Sequence, residues 1–265
     1  MTKKTMLFAT ALLTGAVFAG EIYKAEIADL VPPKRAELKD GVFRAAGKTI
    51  FLRSKTSFAV DPAKKYAVSG EFRFPGTTPN RFYLGLMPLN AKLLPIGPEN
   101  IHVIPGTETT LAAPAAVGDT SVKIADGEKW DNKRFACAVA FNVKDDYADL
   151  PNATTAGMKK GSVKKNGDVW EIELEKPLKT AYAAGTRVRQ HLCGGTFIYS
   201  TIRNKKDLSG DWQKFSGTIT GLTKNTRSDN EFWPGTAKAY VIVLTTGGAD
   251  DTAMEFRDLK VEEAE

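Results

Sequence analysis

Short runs in which apolar and polar residues alternate, separated by clusters of Gly, Pro, Asn and Asp, carry most of the apolar side chains of this chain. Residues 66–74 make the clearest run. Tyr66, Val68, Gly70, Phe72 and Phe74 share one parity, and Ser69, Glu71 and Arg73 take the other, which is the period of a half-buried strand. After a turn at 75–80, residues 81–87 repeat the scheme, with Phe82, Leu84 and Leu86 against Arg81, Tyr83, Gly85 and Met87. Residues 41–46 and 49–60 read as earlier strands on either side of a Gly47-Lys48 turn. Further along, Phe215, Gly217, Ile219 and Gly221 alternate with Ser216, Thr218 and Thr220. Residues 240–244 are apolar on both parities, as expected of a strand covered on both sides. Phe256, Leu259 and Val261 break strict alternation, which predicts a β-bulge among them.

Between these two groups the pattern changes. Pro88, Pro95, Pro98 and Pro105 make 88–105 extended or looped. Residues 109–191 then read as a separate small β unit, with strands at 121–125 and 135–143 and a closing strand at 181–188. Inside it, Asn166-Gly167 predicts a hairpin whose second arm is 168–174, because a tight hairpin turn needs residues that tolerate positive φ. Alternation resumes after Gly194-Gly195 at 196–203, where Ile198 and Ile202 take the core parity. Strands before 105 and after 193 are both needed to complete one sandwich. The middle unit therefore reads as an insertion in a loop, where added length costs little closure entropy. The expected organisation is a leader at 1–19, a first half-sandwich at 20–105, an inserted β-barrel-like domain at 106–192 and the second half-sandwich at 193–265.

The leader rests on Lys3 and Lys4, the apolar run 6–19, and Val17-Phe18-Ala19 as a small-residue cleavage site. The run is too short to span a membrane, and Glu21 follows at once. Cleavage after Ala19 would deliver a protein that is secreted, to the periplasm or the exterior, with no membrane insertion. Removing Lys3 and Lys4 from 37 basic residues leaves 35 against 31 acidic ones. So mild and interspersed a surplus argues against nucleic acid as a partner but tolerates an anionic polysaccharide. The 23 glycines and 13 prolines favour strands and turns over helices. An exported chain could bridge Cys137 and Cys193. Cys137, however, sits in Phe135-Ala-Cys-Ala-Val-Ala-Phe141, where it reads as a small apolar core residue.

Catalysis has little to stand on. His102 and His191 lack metal-ligand spacing. His191 and Cys193 would share a strand face but lack an orienting third group. Neither GxSxG, nor a P-loop, nor a dinucleotide fingerprint occurs. The acidic clusters Asp145-Asp146 with Asp149, and Asp250-Asp251, are sequence neighbours, whereas a glycosidase sets two carboxylates across a cleft.

Four stretches carry a resemblance: Trp212-Gln-Lys-Phe-Ser-Gly-Thr218, the apolar strand ending in Gly247-Gly248, the closing Phe256-Arg257-Asp258, and Tyr66-Ala-Val-Ser-Gly-Glu-Phe-Arg73. Together they resemble a galactose-binding-like jelly roll, the β-sandwich of many secreted carbohydrate-binding modules. GDTSVKIADGEKW (118–130) and AYAAGTRV (181–188) in turn resemble small-barrel modules of bacterial secreted and surface proteins. The first resemblance implies an all-β, non-catalytic protein that binds a polysaccharide or other glycan and packs Trp212 in its core. It also implies a structural calcium near the last strand, although Arg257 stands at one of the two acidic positions and the usual Glu near the first strand has no counterpart.

By parity, Glu71, Arg73, Arg81 and Tyr83 share the face opposite the core, with Phe197, Tyr199 and Arg203 beside them. Such a face suits sugars, because aromatic planes cover C–H surfaces and forked charged groups bond hydroxyls. It equally suits ordinary cross-strand pairs. Trp233, in the loop 230–235, is expected to be an exposed platform, and Trp130 and Trp170 to fill the small core. The candidate glycan-binding residues are thus Glu71, Arg73, Arg81, Tyr83, Tyr199, Arg203 and Trp233. A cell-surface or assembly protein that binds other proteins is the alternative, followed by a polysaccharide-active enzyme with its site beside the middle unit.

Overall fold

The computed structural model describes residues 20–31 and 36–264; the expected leader at 1–19 lies outside the described residues. The chain is all-β, and the sheets are antiparallel. One sheet has six strands: β1 (Glu21–Lys24), β3 (Glu37–Lys39), β4 (Val42–Ala46), β7 (Lys65–Arg73), β16 (Gln213–Thr220) and β18 (Ala253–Ala264). Its order is β16-β7-β18-β4-β3, with β1 also on β18. A second sheet has five: β2 (Leu30–Val31), β5 (Ile50–Ser54), β6 (Phe58–Ala59), β8 (Arg81–Leu89) and β17 (Lys238–Thr246). Here β17 is central, flanked by β5 and β6 on one side and β8 on the other.

These two sheets share one core, made of the inward parities. Phe72 of β7 meets Phe82 of β8 with ring centroids 4.8 Å apart, and Phe215 of β16 lies 4.9 Å from Phe82. Phe256 of β18 lies 5.7 Å from Phe72 and stacks on Phe43 of β4 at 5.0 Å. Each buried Phe contributes roughly 1.5–3 kcal/mol relative to exposure. The Phe72–Phe82 contact also overturns an expectation. Strands β7 and β8 belong to opposite sheets, so Glu71 and Arg73 do not share a face with Arg81 and Tyr83. A period of two tells which residues turn away from a strand's own core; it does not tell which sheet the strand joins.

The predicted bulge is present. The register of β18 against β7 shifts between Arg257 and Lys260, and Asp258 there has φ 52°. The bulge separates two partners on the other edge of β18: β4 pairs with residues 253–256, and β1 with residues 260–262.

Residues 109–192 form the remaining sheets. Four strands, β9 (Thr109–Thr110), β11 (Cys137–Phe141), β12 (Thr155–Gly157) and β15 (Arg187–Leu192), run in the order β12-β11-β15-β9. Three more, β10 (Ser121–Ile124), β13 (Lys164–Asn166) and β14 (Val169–Glu173), run β10-β14-β13. The β13–β14 hairpin turns at Gly167, with φ 63°, as Asn166-Gly167 predicts. Single bridges Leu111↔Ile124 and Met158↔Leu174 join the two sheets at both ends, so pairing runs in a ring through β9, β10, β14, β12, β11 and β15. A second hydrophobic cluster, including Ile124, Trp130, Val139, Phe141, Ile172 and Val188, fills that ring. Trp170 packs against it only partly buried.

The stretch 196–203 is not the expected strand. It makes single bridges to β8, Leu86↔Ile198 and, just beyond, Phe82↔Lys205, while Ser200, Thr201 and Asn204 adopt left-handed φ of 43°, 68° and 61°. Those turns bend it into a strap. Ile198 and Ile202 still enter the core, as their parity predicts. The strap fits because two glycines lack side chains: a Cβ on Gly85 would overlap the Ile198 carbonyl, and one on Gly217 would overlap the Ser200 carbonyl. Gly217→Ala is therefore expected to lower the urea unfolding midpoint by the equivalent of about 1–3 kcal/mol, the usual cost of overpacking. Thr218→Ala, on the outward parity, should shift it much less. Equal shifts would show that the strap yields freely.

Candidate functional site

The outer face of the five-stranded sheet carries the outward parities of β5, β17 and β8. Register sets Phe51 and Tyr83 on either side of Leu244, Arg53 and Gly85 on either side of Ile242, and Arg81 beside Thr246. The strap adds Phe197 and Tyr199. The result is a row of four rings, Phe51–Phe197–Tyr199–Tyr83, with successive centroids 5.6, 5.9 and 5.0 Å apart. Ile242, though outward by parity, is fully buried at the strand position the row spans. All four rings are half-buried, with part of each open to solvent.

Polar groups border the row. Arg203 lies 5.9 Å from the Tyr199 ring centroid and donates from Nη1 to Asp229 at 3.2 Å. Burial pushes the Tyr199 phenol pKa up, and Tyr83 adds to the shift. A Cβ on Gly194 would stand 3.0 Å from Nη1 of Arg227, and one on Gly195 would stand 3.6 Å from the Tyr199 hydroxyl. Two adjacent glycines thus bring Arg227 and Tyr199 to one place. Arg81 is exposed, and Arg53 stacks over Tyr240 at 4.1 Å. Of the expected residues, Arg81, Tyr83, Tyr199 and Arg203 meet on this face. Phe51 and Arg227 join them unforeseen; Phe51 had the signal of alternation in 50–54, while Arg227 sits in a loop with no period to read.

Glu71 and Arg73 lie on the outer face of the other sheet. There Arg257 Nε donates to Glu71 at 2.6 Å, and Glu255 accepts from Arg73 at 2.7 Å and from Arg44 at 3.0 Å. Trp212 lies among them rather than in the core: it is half-buried, with the guanidinium carbons of Arg73 and Arg257 at 4.8 and 4.4 Å from its ring. This corrects the placement the resemblance implied, because two arginines from strands distant in sequence supply the cover a core would have given. Trp233 is corrected in the opposite direction. It is completely buried in the sandwich core, and its indole N–H donates to the Ser228 carbonyl at 3.1 Å. It is no platform.

The residues do not fit the implied calcium. Asp258 is exposed at the bulge, beside a hollow that also holds Glu21 and Glu71, but Lys24, Lys214 and Lys260 line it as well and Arg257 already takes Glu71, so its three carboxylates are balanced by cationic side chains. Among the described residues, no three His, Cys, Asp or Glu side chains gather as a metal site requires. Both cysteines are free thiols. Cys137 is opposite Leu192, and the Cys193 amide bonds the Ala136 carbonyl, so alternation sends the two side chains to opposite faces. Burial raises the Cys193 pKa to about 12, far from a nucleophile's range. A hollow of 480 Å³ lies at Phe141, Thr155, Glu175, Lys176 and Tyr182, with Tyr182 stacked on Phe141 at 4.0 Å. No protein-family model, curated protein or solved structure matches this chain.

The segments on either side of 104–190, the short helix before it and the end of β15, are tied by a buried polar chain. Arg189, fully buried, donates from Nε to His191 Nε2 at 3.0 Å and from Nη2 to Asp149 at 2.9 Å. With Nε2 accepting, Nδ1 carries the proton and donates to the Glu99 carbonyl at 2.7 Å, in the short helix α1 (Pro98–Ile101). Burial lowers the His191 pKa from 6.5 to about 4, opposed by the Glu99 bond and assisted by Arg189. Unfolding restores the ordinary value, so between pH 6.5 and about 4 the unfolded chain takes up a proton that the folded chain refuses. The stability from neutral His191 is complete above pH 6.5 and is lost as pH falls towards 4, by about 3 kcal/mol. Urea midpoints should therefore drop across that window in the wild type and less steeply in His191→Gln. Parallel slopes would assign the acid sensitivity to other groups.

Proposed function

We propose that this chain is an exported, non-catalytic glycan-binding protein whose site is the Phe51–Phe197–Tyr199–Tyr83 row. The row itself carries the reading. Several rings spread over about the length of an oligosaccharide offer successive sugars a surface for their C–H faces, and Arg203, braced by Asp229, offers donors to hydroxyls. The site is open rather than enclosed, as a polymer passing over a sheet needs. Export follows from the leader expected at 1–19. Glu71, Arg73 and Trp233 drop out of the proposed site because of where they lie.

The test is binding of the mature chain to a glycan array, followed by titration of a retained glycan. Tyr83→Ala and Tyr199→Ala should each weaken binding by on the order of 1 kcal/mol, roughly fivefold, with melting temperature little changed. Unaltered binding in both variants would move the site elsewhere, first to the hollow beside Tyr182.

The architecture proposed with this function is a jelly-roll sandwich interrupted by an inserted barrel. Support comes from the separate hydrophobic clusters and from the crossing point, where Val103 bridges His191 and Ile104 bonds Gln190. Entry and exit are therefore neighbours that a short turn can join. Replacing 104–190 with a Gly/Ser turn should leave a sandwich that unfolds cooperatively, while a broad, non-cooperative transition would make the middle residues integral to it.

A further inference from the structure

We infer that the ring row binds an acidic polysaccharide, carboxylated or sulfated, held by arginines at its margin; this deepens the glycan reading and rests on it. The two outer faces of the sandwich treat their arginines differently. On the six-stranded sheet, Arg44, Arg73 and Arg257 all have carboxylate partners, Glu255 serving two of them and Glu71 the third. On the five-stranded sheet, Arg53, Arg81, Arg203 and Arg227 border the rings, and Asp229, which pairs Arg203, is the one acid bonded to any of them among the described residues.

Two of these arginines flank the Tyr199–Tyr83 pair at one end of the row. Arg81 is two residues before Tyr83 on the same parity and is exposed, so its fork is free to swing over the neighbouring ring. Arg227 lies where a Cβ on Gly194 would stand 3.0 Å from its Nη1, and a Cβ on the next residue, Gly195, would lie 3.6 Å from the Tyr199 hydroxyl. Its charge is felt nearby, since it adds to burial in lowering the His102 pKa. A guanidinium presents parallel N–H donors that match the two oxygens of a carboxylate or sulfate. Tyr83 and Tyr199 between them take the sugar ring that carries the acid group. A neutral sugar would offer Arg81 and Arg227 only hydroxyls, whereas an acid group also meets their uncompensated charge.

The experiment measures binding of the mature wild-type chain to two polymer pairs: polygalacturonate against neutral galactan, and dextran sulfate against dextran. Each is run at about 0.05 M and about 0.5 M salt, conditions that change screening strongly. Expected is preference for an acidic polymer over its neutral counterpart, weakened by salt, with Arg81→Gln and Arg227→Gln each lowering that affinity about tenfold. Tyr83→Ala must weaken the same binding. Which acidic polymer is retained separates carboxylate from sulfate recognition. Neutral polymers bound as tightly, and unaffected by the arginine variants, would overturn the acidic inference and leave the glycan reading standing. Retention of none of the four, together with a blank glycan array, would overturn both. Acidic binding that survives Tyr83→Ala unchanged would reduce the effect to adsorption by charge and overturn the assignment of the site.

Discussion

The sandwich and its surface both depend on the close approach of one strap to two strands. The carbonyl oxygens of Ile198 and Ser200 stand where the side chains of Gly85 and Gly217 would be. That approach lets Ile198 and Ile202 turn into the core while Phe197 and Tyr199 turn out over β17. The left-handed turns at Ser200 and Thr201 are the local cost, of order 1 kcal/mol each, offset by burial of the isoleucines. Without two absent Cβ atoms the ring row has no second half.

Charge is distributed by the same architecture. Surface ion pairs add little stability, so the paired network around Trp212 is better understood as a face that has spent its charges on itself. Among the described residues, the opposite face leaves three of its four arginines without a carboxylate partner and adds rings between them. Ligand chemistry belongs where polar groups still lack partners, and this separates the two faces more clearly than their aromatic content does, since each carries at least one half-buried ring of Tyr or Trp.

Much of this was legible in the sequence, in an uneven way. Parity in 66–74 and 81–87 identified inward and outward residues correctly, and the uneven spacing of Phe256, Leu259 and Val261 located the bulge. What parity could not carry was sheet membership, so residues on two opposite faces were read as one. Trp233 looked exposed because it lies among loop residues. The loop instead folds back, with Thr223 bonding Phe232 and Phe232 bonding Gly221, and draws the indole inward. Trp212 looked buried because its neighbours resemble a core strand, while its actual partners, Arg73 and Arg257, are remote in sequence. Arg227 gave no signal, since its position follows from a contact with Gly194 that only the folded chain makes.

The place of β17 and β18 in the chain bears on how the sandwich is assembled. Each is central to its sheet, yet both come after every other described strand. A chain delivered N-terminus first would hold β4, β5, β7 and β8 with their main partners still to come, so neither sheet could close early. Most contacts among the described residues span long stretches of sequence, a topology that folds slowly. Such an order leaves apolar strand edges exposed until nearly all of the described strands have been made.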